Sequence, residues 1–108
     1  MIDLDQIQKE VYQNKINHGF EIADSTENIY RHFCFMQGEL AEAFDAYHKN
    51  TGTMGEELAD VCLYILGLCQ IRGISLEKEI LSKLEIIKKR KYKKVGDAMI
   101  KVGIENDE

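Results

Sequence analysis

Apolar residues recur along most of this chain with the period of an α-helix. In residues 3–18 they stand at Leu4, Ile7, Val11 and Tyr12, and the pattern stops before Gly19, a residue suited to a left-handed helix cap. A second apolar line, about six turns long, predicts a long helix that ends near Asn50. Its members are Ile29, Phe33, Met36, Leu40, Ala43, Phe44 and Tyr47.

Two further helices follow. The third runs through Leu58 and Ile65 to Arg72, is apolar nearly all round between residues 61 and 71, and stops at Gly73. A helix without a polar face has to be covered on all sides, which a small monomer can hardly provide, so a second subunit is expected. The fourth helix starts after Ser75 and carries the apolar line Leu76, Ile80, Leu84 and Ile87.

Short motifs mark the predicted helix ends. Asp24 to Glu27 and Thr53 to Glu56 both have the spacing of a capping box, which predicts that the second and third helices begin there. The basic run at residues 88–94 suits the negative end of the fourth helix. Residues 95–108 show no clear period. We therefore predict an all-α fold of about four helices, with a helical domain over residues 1–94 and a C-terminal tail over 95–108.

Composition agrees with a small globular protein. The 108 residues suffice for one domain, and proline, the strongest helix breaker, is absent. A net charge of -5 argues against a general nucleic-acid binder. No signal-like or membrane-length apolar segment stands out, so a cytoplasmic protein is expected. Cys34, Cys62 and Cys69 lack metal-ligand spacing and are predicted to be buried, reduced thiols.

Paired acids on the second and third helices are the main candidate chemistry. Glu39 and Glu42, and likewise Glu57 and Asp60, are three residues apart, which places each pair on one helical face beside the apolar stripe. Packing the two stripes together would bring four carboxylates into one cleft, where they repel unless a cation neutralises them. Mg²⁺, with Mn²⁺ as an alternative, prefers such oxygen ligands. Each motif alone is more often a solvated pair of charges.

The surrounding residues make a resemblance specific. The segments Gln37–Tyr47 and Glu56–Leu66 carry Glu-Leu-Ala-Glu and Glu-Leu-Ala-Asp, and they resemble the signature of the MazG-like nucleoside triphosphate pyrophosphatases. The similarity extends over roughly residues 10–93. It implies an all-α subunit of about four helices that is completed by dimerisation, as a homodimer or a dimer of dimers. It also implies Mg²⁺ held by Glu39, Glu42, Glu57 and Asp60.

The activity implied by this resemblance is hydrolysis of a (deoxy)nucleoside triphosphate to its monophosphate and pyrophosphate, as nucleotide-pool house-cleaning. Glu42, followed by Glu39, is the candidate for activating water. The candidate substrate contacts are Lys15, His18, His32, Lys83, Arg90 and Tyr92. On the fourth helix, Lys83, Ile87 and Arg90 fall at positions i, i+4 and i+7 and form a line that is expected to face the cleft. Ile87 departs from the family, which usually has Asn there. Surface or structural roles remain open for these residues.

Two alternatives come from other classes. A di-iron carboxylate bundle needs Glu-x-x-His pairs, but no Glu stands three residues before His18, His32 or His48. A helical dimerisation or regulatory module, which keeps the fold and binds nucleotide with weakened catalysis, is the second alternative. The departure at Ile87 favours this module, whereas the four acids favour an enzyme.

Overall fold

Four helices followed by a two-stranded hairpin make up the described part of the chain. The computed structural model describes residues 1–104. The elements are α1 (Leu4–Asn17), α2 (Thr26–Lys49), α3 (Met54–Arg72), α4 (Leu76–Lys88), β1 (Arg90–Val95) and β2 (Ala98–Ile104). The four predicted helices are present, and the described chain is mostly helical, in line with the all-α prediction, with a small two-stranded sheet in addition.

The helix ends follow local rules, with two departures from the sequence prediction. Ser25, rather than Asp24, caps α2, since its Oγ accepts a hydrogen bond from the Asn28 amide at 3.2 Å. Thr53 precedes α3 but makes no side-chain capping bond, because its hydroxyl pairs with that of Thr51 at 2.7 Å. Both predicted capping boxes were therefore wrong in detail. Gly73 ends α3 in the left-handed conformation, as predicted.

The chain divides into two compact units, Met1–Leu76 and the residues from Glu77 onward. In the first unit α3 packs against both α1 and α2. Few apolar residues of these helices are buried, and most of them are small: Ala43, Ala46, Leu66 and Cys69. The remaining apolar line of α2 is largely exposed, with Phe44 and Tyr47 each 69% exposed.

Buried amides fix the first unit where its apolar core is thin. Gln8 on α1 is only 4% exposed, and its Nε2 donates to Oε1 of Gln70 at 3.0 Å and to the carbonyl of Ile74 at 2.6 Å. Its Oε1 accepts from the amide of Leu76 at 3.3 Å. These bonds tie α1 to the end of α3, and because they are shielded from water, breaking them leaves unpaired polar groups.

The connection between α1 and α2 is held from both sides. The buried Asn28 side chain donates to the carbonyls of Glu21 at 3.3 Å and Ala23 at 2.9 Å. Arg72 at the end of α3 donates to both carboxylate oxygens of Asp24, at 2.8 and 3.0 Å. The loop that carries Phe20 is thus anchored to the helices around it.

The second unit contains α4 and the hairpin. Strands β1 and β2 pair antiparallel from Val95 opposite Ala98 outward, with an irregularity between Lys91 and Tyr92. Gly96 supplies the positive φ of 62° that a two-residue hairpin turn requires. The basic run therefore forms a strand rather than a helix end, and the predicted boundary after residue 94 falls inside β1. None of the residues described in this unit is buried.

The three cysteines are reduced thiols, as predicted, but only Cys69 is buried, whereas Cys34 and Cys62 are exposed in the single chain. Both exposed residues lie on apolar helices that are only partly covered. Within residues 1–104 no single helix combines the length and apolar content needed to cross a membrane, although α3 and α4 taken together as a broken pair pass that test.

Candidate metal centre and adjoining groove

The acids of α2 and α3 meet in one cluster, which we call the carboxylate cluster: Glu39, Glu42, Glu57 and Asp60. One carboxylate oxygen from each of Glu39, Glu57 and Asp60 lies within 4.8 Å of the other two, and all three side chains are half-buried. Glu42 is exposed, and its carboxyl group is close enough to those of Glu39 and Glu57 to raise the pKa of both. Packing of α2 on α3 places all four predicted acids together because each pair borders the contact between these helices.

Crowding changes the acidity of the cluster. Partial desolvation, together with repulsion from Glu42 and Asp60, raises the pKa of Glu39 above its ordinary value. Partial desolvation and the same two neighbours, with Glu56, raise the pKa of Glu57. A carboxyl group with a raised pKa keeps its proton to a higher pH than a free carboxyl group does. In the absence of a cation, the cluster therefore favours proton uptake.

The donor set fits a hard divalent cation. Every donor is a carboxylate oxygen, which suits Mg²⁺, Mn²⁺ or Ca²⁺ better than softer metals. Opposite ligands of Mg²⁺ are about 4.2 Å apart, so oxygens within 4.8 Å of one another can converge on one ion through small side-chain rotations. With only three acids in this closest group, coordination positions remain for water and phosphate oxygens.

Tyr64 joins the carboxylate cluster to a basic residue. Partial burial and the charges of Glu39, Asp60 and Glu42 raise the pKa of its hydroxyl. The Lys15 ammonium lies 5.1 Å from the Tyr64 ring centroid and 5.6 Å from that of Phe20, distances typical of cation–π contacts. Partial burial lowers the pKa of Lys15. The Lys15 ammonium therefore packs on two aromatic rings, one of which, Tyr64, adjoins the acids.

A groove of about 560 Å³ runs from the cluster along α1. Asp60 and Tyr64 line one side and Lys15 and Phe20 another, with apolar and polar residues of α1 completing it. Its volume lies within the range of about 300–1,000 Å³ that is usual for small-molecule sites. The groove therefore places a lysine and two aromatic rings beside one member of the carboxylate cluster.

His32 lines a second, smaller cavity of about 220 Å³, which we call the ring cavity. The ring cavity shares Lys15, Phe20 and Tyr64 with the groove. His32 is only 4% exposed, and its ring meets that of Tyr64 edge to face at a centroid distance of 6.4 Å. It lies on α2, as predicted, but next to aromatic residues.

The other predicted substrate contacts are more dispersed. His18 is exposed at the end of α1, where its Nδ1 pairs with the Asn14 carbonyl at 2.8 Å, and it does not line the groove. Lys83, Arg90 and Tyr92 belong to the second unit. The predicted helical face through Lys83, Ile87 and Arg90 was wrong, because α4 ends at Lys88 and Arg90 lies in β1. Tyr92 also lies on that strand.

Sequence reasoning missed Tyr64 and Phe35 as lining residues of the site. A signal for Tyr64 was present, since it follows Asp60 by four residues and so lies on the same face of α3. Phe35 gave no such signal, because its ring contact with Tyr64, at a centroid distance of 5.8 Å, depends on how α2 packs against α3.

Comparison with family models, with curated proteins and with solved structures found no match for this chain. The residues and their geometry therefore carry the functional argument.

Proposed function

We propose that this protein is a Mg²⁺-dependent nucleoside triphosphate pyrophosphohydrolase of the MazG-like kind, which cleaves (deoxy)nucleoside triphosphates to monophosphates and pyrophosphate. The observation that carries the proposal is the carboxylate cluster, whose Glu39, Glu57 and Asp60 oxygens lie within 4.8 Å of one another. It is supported by the adjoining groove, which offers Lys15 to a phosphate chain and aromatic rings to a base. Removal of damaged or surplus cytoplasmic nucleotides is the corresponding cellular role.

The four acids of the carboxylate cluster would have different roles according to their positions. Glu39, Glu57 and Asp60 would hold the ion, with Glu42 as a further ligand or as the group that orients the attacking water. Glu42 is the first candidate to accept the water proton because it is exposed beside the three converging acids, and Glu39 is the second. A bound Mg²⁺ supplies charge neutralisation at the phosphate oxygens.

Substrate contacts follow from charge. Lys15 would neutralise a phosphate oxygen, and this role is supported by the position of its ammonium over Tyr64, a ring that adjoins the acids. His32 would contact the nucleotide from the ring cavity. His18, Lys83, Arg90 and Tyr92 stay predictions as substrate contacts, supported by their hydrogen-bonding and charged groups rather than by a shared pocket.

We propose a homodimer, or a dimer of dimers, as the working form. An apolar groove of about 610 Å³ on α2 and α3 is lined by Leu40, Phe44, Tyr47, Met54 and Leu58, among others. Within the described residues, α4 buries none of its side chains, and Leu81 is 59% exposed. When this many large apolar side chains are exposed to water, association with a partner that covers them is favourable. A second copy, whose matching surface is identical, would cover them by two-fold symmetry.

The decisive test is pyrophosphate release from a panel of nucleoside triphosphates with and without Mg²⁺. We expect metal-dependent release from the wild type and loss of it in Asp60→Asn, which keeps the side-chain shape. Asp45→Asn is the matched control, because Asp45 lies on α2 in a surface ion pair with Lys49. Nucleotide binding without release from any substrate would instead support the regulatory module.

A further inference from the structure

His32 is a buried side chain with one ring nitrogen in use. Its Nδ1 lies 2.8 Å from the Asn28 carbonyl oxygen, which can only accept, so Nδ1 carries the hydrogen and donates it. In the neutral ring Nε2 is then an acceptor. Nε2 is shielded from water and has no hydrogen-bond partner in the described part of the chain. Buried acceptors of this kind are rare, and one beside a cavity points to a donor supplied by a ligand.

The ring cavity has the size and lining of a site for one flat ring. Its volume is about 220 Å³. A site that holds a whole small molecule usually has a volume of about 300 Å³ or more. Phe20, Phe35 and Tyr64 offer aromatic surfaces. Phe20 lies on the loop between α1 and α2 and is 60% exposed.

The ring cavity and the groove follow each other in the same order as the base and the phosphates of a nucleotide. Lys15, Phe20 and Tyr64 line both, whereas Asp60 lines only the groove and His32 only the ring cavity. A ligand extending through both would place its phosphates by Asp60 and Lys15 and its ring by His32. This order follows from the shared lining residues and assumes no contact with the second unit.

We propose that the ring cavity binds the pyrimidine base of the substrate and that Nε2 of His32 accepts a hydrogen bond from an N–H group on that base. The inference rests on the proposed nucleotide hydrolysis and adds the substrate class. The small volume of the cavity, about 220 Å³, is the basis for choosing a single ring over the double ring of a purine. A site that hydrogen-bonds one substrate group rejects analogues lacking that group, because its own polar atom then stays buried and unpaired.

The test compares matched pairs of nucleotides on the wild-type protein. Cytidine triphosphate is paired with its analogue that has hydrogen in place of the 4-amino group, and uridine triphosphate with its N3-methyl derivative. We expect kcat/KM to fall by about tenfold or more within at least one pair, and pyrimidines to be preferred over adenosine triphosphate. Equal values within both pairs, or a preference for purines, would overturn the inference without any variant.

Three variants assign the effect to His32. His32→Leu should reduce the discrimination within each pair of nucleotides to about one, because the buried acceptor is lost. Phe20→Ala should weaken all bases alike and preserve the discrimination, and its exposed position avoids the core. His48→Gln, an exposed histidine of the same helix, is the matched control. Discrimination that survives His32→Leu in a folded protein would assign the donor contact elsewhere and defeat the proposal.

Metal-free titration with cytidine monophosphate and its 4-hydrogen analogue separates this inference from the proposed function. Absence of hydrolysis with every nucleotide would defeat the enzyme proposal, and weaker binding of the analogue in this titration would still support the ring cavity. Normal hydrolysis with no difference between the two ligands, in titration and in turnover alike, would defeat the ring cavity alone. Melting curves of each variant confirm that the measured protein is folded.

Discussion

At the scale of single residues, the acids were predictable and their surroundings were only partly so. The spacing of three within each motif places Glu39 with Glu42 and Glu57 with Asp60 on one face, whatever else the chain does. That the two faces meet depends on packing. The structure adds Tyr64 between the acids and Lys15. Its position four residues after Asp60 was a signal that the sequence prediction did not use.

Replacing Glu42 by Gln tests the role of the exposed acid. If Glu42 accepts the proton of the attacking water, kcat should fall by about 10²–10⁴-fold, while Mg²⁺ still binds through Glu39, Glu57 and Asp60. Steady-state kinetics and Mg²⁺ titration by calorimetry measure the two effects separately. Loss of Mg²⁺ affinity at unchanged kcat under saturating metal would make Glu42 a ligand instead.

The raised pKa values of Glu39 and Glu57 predict a pH effect on stability. The native state then binds protons that the unfolded state has already released, so native stability is lost as pH rises from about the ordinary value of 4.5 through the raised values. In metal-free buffer the melting temperature should therefore fall with rising pH over that window. Mg²⁺ should reverse the fall.

The Glu39→Gln/Glu57→Gln double variant supplies the comparison for this titration. It lacks the two carboxyl groups concerned, so its melting temperature should fall less over the same pH range than that of the wild type. Parallel curves for the two proteins would show that the acidity of these residues is not linked to folding.

At the scale of elements, periodicity found the helices and overlooked the hairpin. Four apolar lines of helical period predicted α1 to α4 to within a few residues, since a core-facing helix has to repeat its apolar positions. Strand β1 was obscured because its basic residues also suit a helix end. Gly96 and Asp97 were the available signal, a dipeptide typical of two-residue hairpin turns. The small buried core was not predictable, because it depends on which helices meet.

The contact of α1 with α3 gives a prediction at Gly67. A Cβ added there would lie 2.6 Å from Cε of Lys15 and 3.4 Å from Cγ1 of Val11. Because the nearer atom belongs to a flexible side chain, Gly67→Ala should displace the lysine at little cost in stability. We expect KM for the triphosphate to rise by roughly tenfold, as one phosphate contact is lost.

Gly55→Ala is the control for that change, because it also lies on α3 and a Cβ there meets nothing within 4 Å. Melting temperature and KM should both stay near wild type in this control. A large drop in the melting temperature of Gly67→Ala would show instead that α1 is forced away from α3.

At the scale of the whole molecule, exposed apolar surface is the dominant feature. A helix that is apolar on all sides cannot be covered by one or two neighbouring helices. In the second unit, none of residues 77–103 is buried. The sequence predicted this need for cover from the apolar character of residues 61–71. It gave no indication that the apolar line of α2 would also face outward, as Phe44 and Tyr47 do.

Phe44→Glu tests the proposed association. A charge in the apolar groove on α2 and α3 should weaken self-association by about tenfold or more, because burying an unpaired carboxylate is costly. Light scattering and sedimentation at micromolar concentration measure the effect. Tyr30→Glu is the control, since Tyr30 is 68% exposed on the same helix but outside that groove. A wild-type protein that is monomeric and folded under these conditions would contradict the prediction.

The buried Gln8 amide fixes the position of α1 along α3, and this determines the position of a residue two turns away. Its bonds to Gln70 and Ile74 are satisfied in one alignment of α1 on α3, and a shift by one turn would leave them all unpaired. Lys15 follows Gln8 by two turns on the same face, so the same alignment determines where the lysine reaches. A one-turn slip would move it by about 5.4 Å, more than the 5.1 Å that now separates its ammonium from the Tyr64 ring centroid. An uncharged amide two turns away thus decides whether the groove has its positive charge.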